Sequence, residues 1–366
     1  MYRSDVTSPV PVPEAATVAV LDPEHRFLGT AFSSSLSEIA LRLISRERIT
    51  VNASFFAQRI ARAVAYRREV VRNSDAFRVV YSEADQLPGL IVDRYGDALV
   101  VQLLTQAMDR HRELILEGLR QVLQPTAIVL RHDGIVRRKE GLALGVKLLG
   151  DIADPVEIAM NGFRWMVDLC RGQKTGLFLD QRENYDAAAR HARGRALDCF
   201  SSSGGFALHL AAVCESVEAV DASEAALARA QVNANRNGVT NVEFRVADVF
   251  EVLAQKAAGG ARYGTVVLDP PAFAKSRSSV AKAISGYREI NTRALRLLDP
   301  GGILMTCSCS QHVSEADFFA MLAQAGRDAG RTLRIRERRI QAADHPVLLT
   351  IPETLYLKCA IAETLP

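Results

Sequence analysis

No run of 18 uncharged apolar residues occurs in this chain, which excludes a membrane-spanning helix. The first residues, MYRSDVTSPVPVPEAA, lack a basic region leading into an apolar stretch, so no signal peptide is expected. Cysteine is scarce. Six in 366 residues are too few and too scattered for a disulfide framework, and a reducing cytoplasm is expected. Lysine is scarcer than its basic partner, 7 against 38 arginines, and a strong excess of either sign is missing, since 45 Lys+Arg face 42 Asp+Glu. Internal repeats and low-complexity tracts are also lacking. What remains is 48% hydrophobic and 24% charged, an ordinary globular composition of a length that suggests two or three domains.

The net charge of +3 is unevenly spread: residues 1–150 hold 20 basic and 17 acidic residues, and residues 151–366 hold 25 of each. Arginine suits bidentate phosphate contacts, so this balance permits a nucleic-acid partner without requiring one. Residues 1–52 suggest short strands with turns, TVAVLD closed by Asp22-Pro23 and EIALRLI from Glu38. A helix is expected over Ala53–Val71, with Phe56, Ile60 and Val64 on one side and Arg59, Arg62, Arg67 and Arg68 on the other. That basic face is either solvated or turned toward RNA.

Residues 53–157 continue as an α+β segment. FRVVYSE, GLIVDRY and DALVVQLL are strands, and a helix from about Met108 carries Ile115, Leu119 and Val122 on one face. Gly118 weakens that helix and Pro125 ends it. TAIVLR is a further strand, and VEIAMNGFRWMVDL is a hairpin turning at Asn161-Gly162. From residue 158 a third domain is expected, and from Arg195 its strands and helices alternate: ALDCF, VEAVD, VEFRVAD, TVVLD, GILMTC. Continuous apolar strands between helices imply a parallel sheet covered on both faces. TLRIRE and TLYLKCAI follow without an intervening helix, which implies an antiparallel edge. Ligands of such α/β folds bind beyond the carboxyl ends of the strands.

Those ends carry the chemistry. The first reads Asp198-Cys199-Phe200-Ser201-Ser202-Ser203-Gly204-Gly205, whose glycines let backbone approach a ligand but do not form a dinucleotide fingerprint. Asp221 ends the second strand at a spacing suited to ribose hydroxyls, and Asp248 ends the third, placed for an adenine amine. Three acids at successive strand ends repel a polyphosphate and suit the cationic S-adenosylmethionine. The fourth strand ends in Asp269-Pro270-Pro271-Ala272-Phe273, with stiff backbone, a hydrogen-bonding acid and an aromatic plane for a base. The fifth ends in Cys307-Ser308-Cys309-Ser310-Gln311-His312. Carbon 5 of cytosine is too weak a nucleophile to take a methyl group until a thiolate has added to carbon 6, and Cys309 lies where such a thiolate is needed. Cys307 falls inside the strand and reads as core, as do Cys170, Cys199, Cys214 and Cys359. Cys307, Cys309 and His312 match no standard zinc spacing, so no metal is expected. Gln173 in GQKTG stands where a phosphate-binding loop requires glycine.

Taken in order, SEADQLPGLIVDRYGDALVVQ, VRRKEG, GQKTGLFLDQRENY, DCFSSSGGFAL, DPPAFAKS, GYREIN, SCS and QAADHP…PETLYLK resemble the bacterial large-subunit ribosomal RNA cytosine-5 methyltransferase family over nearly the whole chain from about Val18. The resemblance implies a PUA-like RNA-binding domain at 1–52, a central α+β domain at 53–157 and a Rossmann-like class I methyltransferase domain at 158–366. The segment YRSDV resembles text that follows the first PUA strands of relatives, so an N-terminally incomplete PUA fold is expected. The loop SSSGG also departs from relatives, which often carry an aromatic residue or Thr before the glycines. By resemblance Cys309 is the nucleophile and Asp269 orients the cytosine. Phe200, Ser201, Gly204, Asp221 and Asp248 line the S-adenosylmethionine site with Asp198, and Arg182 sits beside it. Pro270, Pro271 and Phe273 face the base. The implied partner is large-subunit ribosomal RNA, with no membrane, and a homodimer is compatible. Three rivals differ in what they require: an exocyclic-amine methyltransferase needs no Cys309, a non-catalytic RNA-binding assembly factor needs no acids at the strand ends, and an NAD-linked enzyme needs the missing glycines.

Overall fold

The computed structural model describes residues 1–7, 11–172, 175–274 and 276–366, so Gln173, Lys174 and Lys275 of the quoted motifs lie outside the described residues. The chain divides into two compact units. The first comprises Met1–Gly162, Val167–Leu179 and Ala343–Thr354, the second Phe163–Met166, Asp180–Ala342 and Leu355–Pro366.

The first unit opens with three antiparallel strands, β1 (Thr17–Leu21), β2 (Phe27–Ser33) and β3 (Leu41–Ser45), around Val20, Ala31, Ala40 and Leu41. Gly29 is required where β2 meets β3, because a Cβ there would lie 2.4 Å from the Ser45 carbonyl oxygen. Helix α1 (Ala53–Val70) starts at Asn52, whose side chain accepts from the Phe55 N–H at 2.9 Å. Its Phe56, Ile60 and Ala63 are buried together with Ile115 and Leu119 of a later helix, the longer of α2 (Gln106–Arg110) and α3 (Arg112–Leu123). Gly118 has a reason beyond propensity. A Cβ there would lie 3.0 Å from the Ala57 nitrogen, so a cost of about 1 kcal/mol in helix propensity permits the two helices to touch.

One of the four arginines assigned to the basic face of α1 is misplaced by the helical pattern. Arg67 is 1% exposed. Its guanidinium donates to Asp85 Oδ2 at 2.7 Å, to the Arg78 carbonyl at 2.9 Å and to the Asp344 carbonyl at 2.8 Å. It is therefore unavailable to RNA. Arg62 and Arg68 are exposed, while Arg59 is half-buried and donates to the Gln86 and Ile44 carbonyls. Removing one member of a buried pair strands the other charge, so Arg67→Met is expected to cost about 3–5 kcal/mol. Urea denaturation checks this; a loss below 1 kcal/mol would contradict it.

The rest of the unit is a sheet of β4 (Ala76–Tyr81), β5 (Leu90–Tyr95), β6 (Ala98–Leu103), β7 (Ala127–Arg131) and β8 (Val146–Gly150) in sequential order, with only β6 and β7 parallel because α2 and α3 cross between them. A short α4 (Val136–Lys139) precedes β8. β9 (Val156–Met160) and β10 (Phe163–Val167) form the expected hairpin, with Asn161 and Gly162 at φ +53° and +80°.

The second unit is built on seven strands. These are β11 (Arg195–Cys199), β12 (Ser216–Asp221), β13 (Val242–Val246), β14 (Tyr263–Leu268), β15 (Leu298–Ser308), β16 (Leu333–Arg339) and β17 (Lys358–Thr364), in the order β13-β12-β11-β14-β15-β17-β16. The first five are parallel, and β17 is antiparallel to both of its neighbours, which gives the antiparallel edge. Helices α5 (Arg182–His191), α6 (Gly205–Ala211), α7 (Glu224–Arg236), α8 (Val249–Ala258), α9 (Val280–Leu297) and α10 (Glu315–Ala329) accompany it. On one face Tyr287, Ile290, Ala294 and Leu297 of α9 and Phe318 and Leu322 of α10 bury Val266, Leu268 and Leu304. Each such side chain removed from water contributes about 1.5–3 kcal/mol. The chain runs outward from β11 through β12 to β13, then returns to β14 on β11's other side. The crevice between the ends of β11 and β14 is therefore the topological switch point.

Candidate active site

Asp198 lies within β11, opposite Ala219 of β12 and Val267 of β14, and is fully buried. Its Oδ2 accepts from Ser201 Oγ at 2.6 Å, while Oδ1 has no hydrogen-bond partner among the described residues. Burial, with repulsion from Asp269 and Asp221, raises its pKa to about 7 against the opposing Ser201 hydrogen bond. An orphaned carboxylate oxygen at a strand end is costly unless a cationic ligand meets it.

The loop beyond it turns tightly. Phe200, Ser202 and Gly204 take φ of +65°, +50° and +85°, and a Cβ on Gly204 would press on Leu208 and Ala230 at 2.9 and 3.1 Å. Asp221 holds this turn open. Its Oδ2 accepts from the Ser202 N–H at 2.9 Å and its Oδ1 from the Ser223 N–H at 2.8 Å. At Gly205 a Cβ would lie 2.3 Å from the Tyr185 ring, so α5 and α6 meet at this glycine. Asp248 caps α8, accepting from the Glu251 N–H at 3.2 Å. These residues suit S-adenosylmethionine: a buried acid for its positive charge, and a turn whose Gly204 and Gly205 let backbone approach closely.

Asp269 follows β14 and its N–H donates to the Cys199 carbonyl at 3.4 Å, so the acceptor motif and the glycine loop share one crevice. The residue that reaches Asp269 from α5's N-terminal side is Gln181, whose Nε2 donates to Asp269 Oδ1 at 2.9 Å. Asn184 donates to Gln181 Oε1 at 2.7 Å and accepts from Arg339 Nε at 2.7 Å, fixing the amide's orientation. Arg182, placed beside the S-adenosylmethionine site by resemblance, is 1% exposed at the start of α5, with Glu183 3.5 Å away. Within the DQR segment it is the uncharged Gln181 that meets Asp269, a pairing for which the local sequence carries no signal.

Phe273 packs on Tyr287, with centroids 4.6 Å apart, and lies against Gly286, where a Cβ would be 3.3 Å from its ring. It pins the Asp269–Phe273 loop to α9. Cys309 stands one residue beyond β15, half-buried, with Sγ 3.9 Å from the Pro270 carbonyl oxygen. Ser310 joins the two loops: its Oγ accepts from the Ala274 N–H at 3.1 Å and bonds Tyr287 Oη at 2.9 Å. Cys307 is fully buried inside β15 opposite Cys359. The six cysteines are thiols rather than disulfides; Cys170 is half-buried, and Cys199 and Cys214 are buried. Among the described residues no group of three or more His, Cys, Asp or Glu could hold a metal ion, and no helix is long and apolar enough to cross a membrane.

Comparisons with known proteins agree with this fold. A family model of S-adenosylmethionine-dependent methyltransferases matches residues 86–350, and a PUA-like domain model matches residues 1–46. A protein of Shewanella denitrificans named ribosomal RNA large subunit methyltransferase I is 40% identical over 355 residues, covering 94% of this chain and 89% of its own. Its namesake in Erwinia tasmaniensis is 39% identical over 352 residues, covering 93% and 89%. Among solved structures, a protein of Streptococcus mutans described as a SAM-dependent methyltransferase has a TM-score of 0.83 at 21% identity, covering 96% of this chain and 92% of its own. A methyltransferase structure complexed with SAH has the same TM-score at 20% identity, with the same coverage. These two show the fold. The chain is an S-adenosylmethionine-dependent methyltransferase and belongs to the family of ribosomal RNA large subunit methyltransferase I.

Proposed function

We propose that this protein places a methyl group on carbon 5 of a cytosine in large-subunit ribosomal RNA, with Cys309 as a transient nucleophile. The observation that carries the reading is the Cys309 thiol beside the Pro270 carbonyl, tied through Ser310 to the loop that presents Asp269. The relatives' name supports the substrate class.

In this reading the target cytosine leaves its stack and enters between Asp269 and Cys309. Asp269, oriented by Gln181, holds the ring's amine edge, and Pro270, Pro271 and Phe273 wall the acceptor side. The Cys309 thiolate adds to carbon 6, and the ring electrons move to carbon 5, which becomes the nucleophile. S-adenosylmethionine supplies the methyl group as an electrophile on its sulfonium. Asp198, Phe200, Ser201, Gly204, Asp221 and Asp248, with Arg182 alongside, form its site. Loss of the carbon 5 proton then returns the electron pair to the ring and expels Cys309. The segment 1–52 holds RNA, 53–157 is the central domain, and 158–366 performs the chemistry in the cytoplasm.

Ribosomal RNA labelled with tritium at cytosine carbon 5 tests this. Methylation is expected to release tritium in step with methyl incorporation, and nuclease digests are expected to contain 5-methylcytidine. A methyl group on the exocyclic nitrogen, with tritium retained, would overturn the proposal.

A further inference from the structure

The most unusual side chain in the second unit outside the acids is Lys358. It opens β17, directly opposite Ser308 at the end of β15, and is 6% exposed. Its ammonium donates to the Ser310 carbonyl at 2.7 Å and to the Tyr356 carbonyl at 2.9 Å. Cys309 is the residue between the strand partner Ser308 and the hydrogen-bond acceptor Ser310. Among the described residues no carboxylate lies within salt-bridge distance of Lys358, although a buried cation without a counter-charge is costly.

We propose that Lys358 is a positioning residue for Cys309. Held beneath the Ser308–Ser310 segment, its ammonium supplies the positive charge that stabilises the Cys309 thiolate, and the thiolate is in turn the counter-charge the buried ammonium lacks. The proposal rests on the reading of Cys309 as the nucleophile, but it concerns the thiol's ionisation rather than its attack.

The surroundings agree. Burial lowers the Lys358 pKa to about 8, and the facing Cys309 opposes that shift. Several described ionisable groups around the pair have partners of their own. Tyr287 bonds Ser310, Tyr356 donates to Asp180 Oδ2 at 2.7 Å, and Asp269 accepts from Gln181. Cys307 and Cys359 face each other within the sheet, where burial holds the Cys307 thiol well above its usual range. Among these described groups Lys358 supplies the positive charge, and a lysine that served only to pin a loop would leave the Cys309 titration unmoved.

Alkylation by iodoacetamide, followed peptide by peptide across pH, reads that titration without turnover. In the unaltered protein Cys309 is expected to titrate below the ordinary thiol value of about 8.5. Lys358→Met is expected to move the midpoint up by about one unit, slowing Cys309 alkylation at pH 7 about tenfold, while Cys170 in the other unit reacts at its former rate. Lys358→Arg keeps the charge and is expected to keep most of the low midpoint. Unchanged Cys170 reactivity and retained S-adenosylmethionine binding certify the fold of each variant. If Lys358→Met does not fold, the unaltered protein and Lys358→Arg still decide. A Cys309 midpoint at or above 8.5 overturns the proposal, and so does a Lys358→Met profile superimposable on that of the unaltered protein. Should Cys309→Ser retain methylation, the nucleophile reading fails, and the alkylation shift still reports separately on Lys358.

Discussion

Cys309→Ala is expected to lower methyl transfer by on the order of 10⁴-fold or more while leaving S-adenosylmethionine affinity and fold unchanged. The size follows from chemistry: without a covalent adduct, carbon 5 has no electron pair to offer, and no neighbouring group substitutes for a sulfur nucleophile. Selectivity follows from position. Cys309 lies outside β15, half-buried, with its sulfur 3.9 Å from the Pro270 carbonyl oxygen. Removing one sulfur atom at such a place changes stability by about 0.5 kcal/mol or less. The paired control is Cys307→Ala, two residues earlier and fully buried opposite Cys359. That variant is expected to lose stability and retain turnover per folded molecule. Single-turnover methylation with calorimetric titration of S-adenosylmethionine distinguishes the two. Full activity of Cys309→Ala would sink the adduct mechanism.

The second large effect is a pH-linked one at Asp198. Its carboxyl is raised from 3.8 to about 7, mainly by burial and then by Asp269 and Asp221. A group raised in the folded state binds protons more tightly there than when unfolded. Its contribution to stability is therefore fully present below about pH 4 and is lost as pH rises to about 7. A cationic ligand reverses the preference, because the ionised acid is the form that attracts it. S-adenosylmethionine affinity is expected to rise between pH 6 and pH 8, with release of about half a proton per ligand bound at pH 7. Asp198→Asn is expected to weaken binding by about 10- to 100-fold, to abolish the proton release, and to make the ligand-free protein more stable at pH 8. Calorimetry in buffers of different ionisation enthalpy measures the proton directly. A pH-independent affinity without proton release would show that Asp198 does not sense the ligand's charge.

Legibility in the sequence followed a physical division. The strand ends were found because they depend on the local chain alone: an apolar run, then an acid, glycines or prolines. Asp198, Asp221, Asp248, Asp269 and Cys309 all fall at such ends in the folded protein. The hairpin at Asn161-Gly162 was equally local. What local pattern does not contain is the partner. Arg67 sits on the polar side of its helical wheel, yet Asp85 and the Asp344 carbonyl come from distant chain to bury it. Gln181 and Lys358 acquire their meaning only when α5 meets β14 and when β17 pairs with β15. Strand β2 lacked alternation because FLGTAFS is covered along most of its length, a pattern that reads as apolar without direction.

The position of β17 has a consequence for the chain as it emerges during synthesis. β17 separates β15 from β16, so β16 has no hydrogen-bonded strand neighbour until β17 has been made and placed between them. A nascent chain therefore carries a complete glycine loop, a complete Asp269 loop and Cys309 while its sheet still ends at an open β15 edge. In that interval the Ser310 carbonyl beside Cys309 lacks its Lys358 donor. A product released before β17 is made keeps an unpaired β15 edge and an unpaired β16, which cellular proteases can recognise.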